Sequence, residues 1–114
     1  MTTDGLRAVN ELSFDDEVLK ASVPVLVDFT AAWCAPCRAL KPMLSELASE
    51  LRGRLEVVTV DGDESPGIAQ RYGVRGFPTL IVFSAGHEVA RSLGLTSKAK
   101  LLKLLCAGPA AGLL

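Results

Sequence analysis

Two apolar patterns of different period run along the chain. Four leucines recur at i, i+4, i+7 and i+11, the spacing of one helical face: Leu40, Leu44, Leu47 and Leu51. This helix should end near Gly53, because glycine readily takes the conformation that terminates a helix. Residues 25–29 form a short, almost continuously apolar run after Pro24, which is typical of a strand covered on both faces. A buried strand followed by a long amphipathic helix predicts the centre of an α/β domain.

The remaining segments predict an alternation of strands and helices. Ser13 is a candidate N-cap, since Asp16 and Glu17 follow it in what would be the first helical turn. We expect helices at 13–20, 66–72 and 97–106, and strands at 8–11, 55–60, 79–83 and 88–92. Gly86 marks a turn between the last two strands. The resulting order of elements is βαβαβαββα.

This order predicts the topology of the sheet. Strands that alternate with helices form parallel pairs joined by right-handed crossovers, and the turn at Gly86 predicts a terminal hairpin. The expected fold is α/β, with a central mixed five-stranded sheet flanked by four helices. In such sheets the chemistry collects beyond the carboxyl ends of the parallel strands. Cys34 and Cys37 fall at this position, between the strand that ends at Phe29 and the long helix.

Length and charge narrow the functional classes. One hydrophobic core suffices for 114 residues, so we expect a single domain, 1–114, with its core at 4–106 and a flexible tail at 107–114. Basic residues number 12 against 13 acidic ones, and one Trp, one Tyr and four Phe are the aromatic residues. The chain therefore offers neither a basic surface nor a set of stacking rings, so nucleic acid and anionic membranes are poor partners.

The composition also indicates a compartment. No apolar stretch of the length of a secretory signal opens the chain, and none approaches the roughly 20 residues of a membrane span. Three cysteines are too few, and odd in number, for a disulfide scaffold. We therefore expect a soluble cytoplasmic protein whose closely spaced cysteines serve redox chemistry or bind a metal.

The segment from Cys34 to Cys37 carries the strongest chemical signal. Residues three apart in a first helical turn have Cβ atoms ~5–6 Å apart, and a small tightening allows the ~3.8 Å of a disulfide. Pro36 suits this turn because the first N–H groups of a helix have no intrahelical partner. The helix N-terminus favours a thiolate at Cys34, which would attack a disulfide. Cys37, one turn further in, would resolve the mixed disulfide.

Other interpretations of these residues remain open at this point. The ligand types of a Cys₃His zinc site are present in Cys34, Cys37, Cys106 and His87. Cys106 and His87, however, lie in separate elements and lack the paired spacing of ligands that structural zinc sites show. A purely structural cysteine pair is a second alternative. Simpler explanations suit Cys106, as a small buried residue of the last helix, and His87, as a solvated turn residue. Trp33 is open to two interpretations: core filler, or a ring beside the exposed thiol that holds apolar partners.

Three segments carry a resemblance to a known family. The first is Val27 to Cys37, which contains a Trp-Cys-Ala-Pro-Cys motif. The second is Arg71 to Thr79, and the third is Gly94. In order and spacing they resemble the thioredoxin family over nearly the whole domain, which is far more specific than a Cys-x-x-Cys pair alone. The resemblance implies a thioredoxin fold and a protein-disulfide reductase that works by dithiol–disulfide exchange.

The resemblance also implies roles for individual residues. Cys34 would be the attacking thiol, Cys37 the resolving thiol, and Asp28 the buried proton acceptor near Cys37. Pro78 would be a cis-proline beside the disulfide. The substrate-binding groove would be formed by the residues around them: Trp33, Ala35, Pro36, Gly76, Phe77, Pro78 and Gly94.

Cofactors and partners follow from the same resemblance. It implies no bound cofactor and no metal, only the redox-active pair of Cys34 and Cys37. Electrons would come from a thioredoxin reductase, with NADPH as the ultimate donor, and pass to disulfide-containing protein substrates. We expect a monomer that contributes to cell redox homeostasis. Two alternatives from other classes remain: a binding or chaperone module with the same fold, and a metal or iron–sulfur carrier.

Three residues depart from the family pattern. Ala35 stands in place of the usual glycine, Thr30 in place of a tryptophan, and Thr59 in place of the lysine that faces the buried acid. Asp28 lies within an apolar strand, where desolvation favours the protonated carboxyl. Without a lysine at 59, we expect no cation to hold Asp28 ionised. A hydrogen-bonded structural aspartate is the alternative.

Overall fold

The computed structural model describes residues 2–3 and 6–106 of the chain, which form one mixed sheet covered by helices on both faces. The strands are β1 (Thr2–Thr3), β2 (Leu6–Ala8), β3 (Val25–Thr30), β4 (Glu56–Asp61), β5 (Thr79–Ser84) and β6 (His87–Leu93), in the sheet order β1-β2-β4-β3-β5-β6. The helices are a short π-helix (Asp15–Leu19), α1 (Ala35–Glu50), α2 (Pro66–Arg71) and α3 (Lys98–Leu105). The expected fold class is confirmed, and the two-residue β1 adds a sixth strand to the sheet. The expected tail, 107–114, lies outside the described residues.

Strand β3 lies at the centre of the sheet. It runs parallel to β4 and antiparallel to β5, and all six of its residues are buried. The apolar run at 25–29 is therefore a strand covered on both faces, as its composition predicts. Ala85 and Gly86, with φ of 51° and 83°, form the turn of the expected hairpin between β5 and β6.

Successive residues of β3 face opposite sides of the sheet, and a separate apolar cluster covers each side. Leu26 packs with the leucine stripe of α1 and with α3. Val25, Val27 and Phe29 pack on the other side with the π-helix and α2. Asp28 shares the face of Leu26, which places its carboxyl in the layer between β3 and α1.

The amino-terminal segment differs from its prediction. Strand β2 covers Leu6–Ala8 rather than 8–11, because Asn10 turns the chain: its Oδ1 accepts the N–H groups of Leu12 at 2.9 Å and Ser13 at 3.1 Å. Ser13 is not the N-cap of the following helix. Its hydroxyl instead accepts the N–H of Asn10 at 3.1 Å. The helix is correspondingly short and begins at Asp15.

The carboxyl-terminal helix lies within the expected range, and Cys106 at its end corrects one expectation. Ser97 caps α3, since its hydroxyl accepts the N–H of Lys100 at 3.2 Å. Cys106 is exposed, so its prediction as a buried residue was wrong. The buried stripe of α3 consists of Leu101 and Leu105. Cys106 follows Leu105 by one residue, which rotates it about 100° away from that stripe.

The 16-residue α1 is the longest helix in the described part of the chain. Within residues 2–3 and 6–106, no helix is both long and apolar enough to cross a membrane.

Candidate functional site

Cys34 and Cys37 lie beyond the carboxyl end of β3, at the start of α1. Their Cα atoms are 5.3 Å apart and their sulfurs are joined in a disulfide. Cys34 is the N-cap of α1, and its Sγ accepts the backbone N–H of Cys37 at 3.2 Å. Pro36 stands within the first turn, where a missing N–H removes no intrahelical bond. The helix N-terminus therefore directs an N–H donor at the Cys34 sulfur.

The two cysteines differ in their access to solvent. Cys34 retains 3% of its surface and Cys37 none. Both pack against Ala31 and the ring of Phe77. An incoming disulfide can thus approach Cys34 but not Cys37, and the second thiol is confined to an intramolecular reaction.

The second segment of the site is the loop that precedes β5. The Phe77–Pro78 peptide bond is cis. The carbonyl of Pro78 accepts the N–H of Gly94 at 2.8 Å, and the hydroxyl of Thr79 donates to the carbonyl of Gly76 at 2.7 Å. Phe77 reaches the cysteine pair with its ring. The structure therefore brings Pro78, Phe77 and Gly94 to the same end of the sheet as the disulfide.

Trp33 lies at the surface beside the disulfide and is not core filler. It is 68% exposed, and its ring meets Phe77 edge to face at 5.9 Å between centroids. Its Nε1 donates to Oδ2 of Asp63 at 2.8 Å. Leu93 and Leu95, on either side of Gly94, are 70% and 64% exposed. Exposed apolar side chains therefore stand directly before Cys34 and on either side of Gly94.

Two residues of this region, Asp63 and Gly62, are absent from the sequence predictions. Asp63 orients Trp33, but an acidic residue in a polar loop carries no sequence signal of that role. Gly62 follows β4, and a Cβ at this position would overlap the ring of Phe77. Its N–H donates to the carbonyl of Thr30 at 2.9 Å. A glycine directly after a strand that ends near a predicted site is a signal that could have identified it.

Asp28 is the least satisfied polar group of the site. It has no exposed surface, and both carboxylate oxygens lack a hydrogen-bond partner among the described residues. Desolvation by burial raises its pKa from 3.8 to about 6, and the charge of Lys41 opposes that rise. The alternative of a hydrogen-bonded structural aspartate therefore has no support in the described contacts.

The cation near Asp28 corrects one expectation. Thr59 is the neighbour of Asp28 across β3 and β4, as the resemblance implies, and it brings no charge. Lys41, in α1, nevertheless acts on the carboxyl and lowers its pKa. The expectation that no cation holds Asp28 ionised was wrong, because it considered the sheet and not the helix that covers it.

The residues considered for a zinc site do not assemble in the described structure. His87 is exposed at the start of β6, and Cys106 is exposed at the end of α3. Within residues 2–3 and 6–106, no three His, Cys, Asp or Glu side chains are grouped so that they could hold a metal ion. Of the four residues considered for a zinc site, Cys34 and Cys37 are the two that the structure brings together.

Comparisons with known proteins extend these observations. The sequence model of the Thioredoxin family matches residues 5–107, a segment that contains every site residue described above. Thioredoxin of Acidithiobacillus ferridurans is 45% identical over 103 residues, which cover 90% of this chain and 95% of that protein. Thioredoxin 1 of Nostoc sp. is 43% identical over 97 residues, which cover 85% and 91%. The chloroplastic M-type thioredoxin of Chlamydomonas reinhardtii is 44% identical over 96 residues, which cover 84% and 69%.

The burial of Asp28 predicts a pH-dependent loss of stability. Below pH 3.8 the carboxyl is protonated in both the folded and the unfolded state. As the pH rises to about 6, the unfolded chain ionises first, so stability falls by about 3 kcal/mol. Asp28→Asn should remove this loss. With the disulfide kept oxidised, denaturant unfolding should show a variant more stable than wild type by up to about 3 kcal/mol at pH 7, and by little below about pH 4.

A matched control is Asp16→Asn, which changes the same chemical group at an exposed position. It should alter stability by less than about 1 kcal/mol at either pH. If the stability difference between Asp28→Asn and wild type did not change with pH, the buried carboxyl would not titrate as described.

Proposed function

The chain belongs to the thioredoxin family of disulfide oxidoreductases, and on that premise we propose that it reduces protein disulfides through Cys34 and Cys37. The observation that carries this proposal is the position of the pair. Cys34 caps a helix N-terminus and keeps solvent access, while Cys37 is fully buried one turn further in. This arrangement supports a pair that exchanges between dithiol and disulfide without unfolding the surrounding structure.

The reaction has two steps of thiol–disulfide exchange. The Cys34 thiolate attacks one sulfur of the substrate disulfide, forms a mixed disulfide and releases the other substrate sulfur as a thiolate. Cys37 then loses its proton and attacks Sγ of Cys34. The Cys34–Cys37 disulfide forms, and the second substrate thiolate leaves and takes up a proton. Two electrons thus pass from the cysteine pair to the substrate.

Different groups favour the thiolate of Cys34 and the deprotonation of Cys37. The N–H of Cys37 and the field of the α1 N-terminus favour an anion at the Cys34 sulfur. Asp28, in the layer between β3 and α1, is assigned the role of accepting the proton of Cys37. A carboxyl with a pKa of about 6 is suited to take up and return a proton near neutral pH.

The groove beside Cys34 is assigned to an extended segment of the substrate protein. Ala35 and Pro36, which follow Cys34 and are exposed, are assigned to its floor. Trp33 and Gly94 border it, and space is open above Gly76, where a Cβ would meet no atom within 4 Å. Backbone groups of the Gly76–Pro78 segment would pair with the substrate as a short added strand. Exposed apolar side chains along both borders would hold partners of varied sequence.

We also propose the electron donor and acceptors of the reaction, and the domain, oligomeric state and compartment of the protein. We assign thioredoxin reductase as the electron donor, with NADPH as the distant source, and disulfide-containing proteins as acceptors, since family membership implies both. Residues 1–114 are assigned to one domain, which the family match over residues 5–107 supports. The protein would act as a monomer in the cytoplasm, where a chain with three cysteines meets a reducing environment.

The role assignment predicts asymmetric trapping of substrates. Cys37→Ser retains the attacking thiol and removes the resolving one, so mixed disulfides through Cys34 should accumulate with an oxidised protein substrate. Cys34→Ser should trap nothing, because the buried Cys37 cannot reach the substrate. Non-reducing electrophoresis and mass spectrometry would detect the adducts. Equal trapping by the two variants would overturn the assignment.

A second prediction compares Cys34 with Cys106 in the reduced protein. Cys106 is exposed, whereas Cys34 has 3% of its surface accessible. If access alone decided reactivity, iodoacetamide would modify Cys106 first. Because the α1 N-terminus favours the thiolate, Cys34 should instead react first at slightly acid pH. Peptide mapping of partly alkylated protein would show the order, and faster modification of Cys106 would contradict the account.

A further inference from the structure

A cavity of about 470 Å³ opens on the side of the sheet that α1 covers, and Thr59, the strand neighbour of Asp28, is one of its lining residues. Strand residues Thr30 and Thr59 line one wall, and Arg38 and Lys41 of α1 line the other. Thr59 is the direct neighbour of Asp28 across the two central strands. The cavity therefore brings the cations of α1 close to the strand positions around the buried carboxyl.

Lys41 occupies a particular position on α1. It follows Cys37 by four residues, so both side chains lie on the same side of the helix one turn apart. It is partly buried, and the described part of the chain provides no carboxylate within 4.0 Å of its ammonium. The contrast is Lys98, which pairs with both Glu46 and Glu50. Lys41 thus brings an unneutralised charge to the cavity wall.

Three other charged residues line the cavity: Arg38, Asp61 and Glu64. Arg38 donates to the carbonyl of Ala32 at 2.8 Å. Asp61 accepts the N–H groups of Asp63 and Glu64 through Oδ1, at 2.9 and 3.1 Å.

The strands on either side of Asp28 add no charge next to it. Asp28 is paired with Thr59 on β4 and with Leu80 on β5, and both neighbours are uncharged. Among the charged residues at the cavity, Lys41 is the one whose charge acts on the pKa of Asp28.

We propose that Lys41 is a positioning residue for the exchange reaction, with its ammonium acting from the cavity wall to keep the carboxyl of Asp28 ionised and ready to accept the proton of Cys37. This inference rests on the proposed function. The direction of the effect agrees with it, since Lys41 lowers the pKa of Asp28 while desolvation raises it. The charge that the family resemblance places at position 59 of the strand is here provided from the covering helix.

The proposal is tested by removing the charge of Lys41 and measuring the pH at which Asp28 titrates. Lys41→Met removes the charge and keeps an apolar side chain of similar length, while Lys41→Arg keeps the charge. The carboxyl carbon of Asp28 would be followed by NMR across pH 4–9 in the oxidised proteins. We expect its midpoint to rise by roughly 0.5 pH unit or more in Lys41→Met and to stay near the wild-type value in Lys41→Arg. Lys100→Met, on the exposed face of α3, is the matched charge control and should leave it unchanged.

The kinetic measurement is the rate of mixed-disulfide resolution as a function of pH. Lys41→Met should slow resolution roughly two- to fivefold near pH 6 and leave its rate unchanged above about pH 8, where Asp28 is ionised in either protein. A midpoint that does not move in Lys41→Met, or moves equally in Lys100→Met, would overturn the proposal. If wild type itself failed to exchange disulfides, the proposed function would fail instead, and the NMR titration would still decide the role of Lys41.

Discussion

The structure depends on one constraint: an aspartate is buried without a hydrogen-bond partner in the central strand of the sheet. Asp28 stands in β3, where all six residues are buried, and its two oxygens lack partners in the described structure. Burying such a group opposes folding, and the two apolar clusters that pack on either side of β3 must offset that cost. The raised pKa of about 6 follows from the same burial, so the group that weakens the fold is also the one able to exchange a proton near neutral pH.

The rest of the site is arranged around that strand by ordinary features of the fold. The chain leaves β3 and enters α1, so the helix N-terminus lies above the carboxyl end of the strand and gives Cys34 an N–H donor. The antiparallel β5 brings the Gly76–Pro78 loop to the same end. Gly62 leaves room for the ring of Phe77 to reach the cysteines. Each contribution comes from a different element, and the central position of β3 brings them together.

Residue patterns predicted the strands, the long helix and the cysteine pair because these depend on local periodicity and spacing. The leucine stripe of α1 and the apolar run of β3 behave as expected. Three features could not be obtained in this way. The hydroxyl of Ser13 turns back to the N–H of Asn10, whose own side chain accepts the N–H groups of Leu12 and Ser13, so Ser13 does not cap the helix. Cys106 misses the buried stripe by one residue. Lys41 acts on Asp28 across two elements, a relation that no spacing along the chain reveals.

The central claim, that Asp28 accepts the proton of Cys37, is tested most directly by the resolution step alone. A mixed disulfide between Cys34 and a chromogenic aryl thiol would be prepared in wild type and in Asp28→Asn. Stopped-flow absorbance would then follow release of the aryl thiolate as Cys37 attacks, from pH 4.5 to 8. The account predicts a wild-type rate that rises through a midpoint near the pKa of about 6, and an Asn variant that lacks this midpoint and is slower by roughly tenfold or more. Superimposable pH profiles for the two proteins would contradict it.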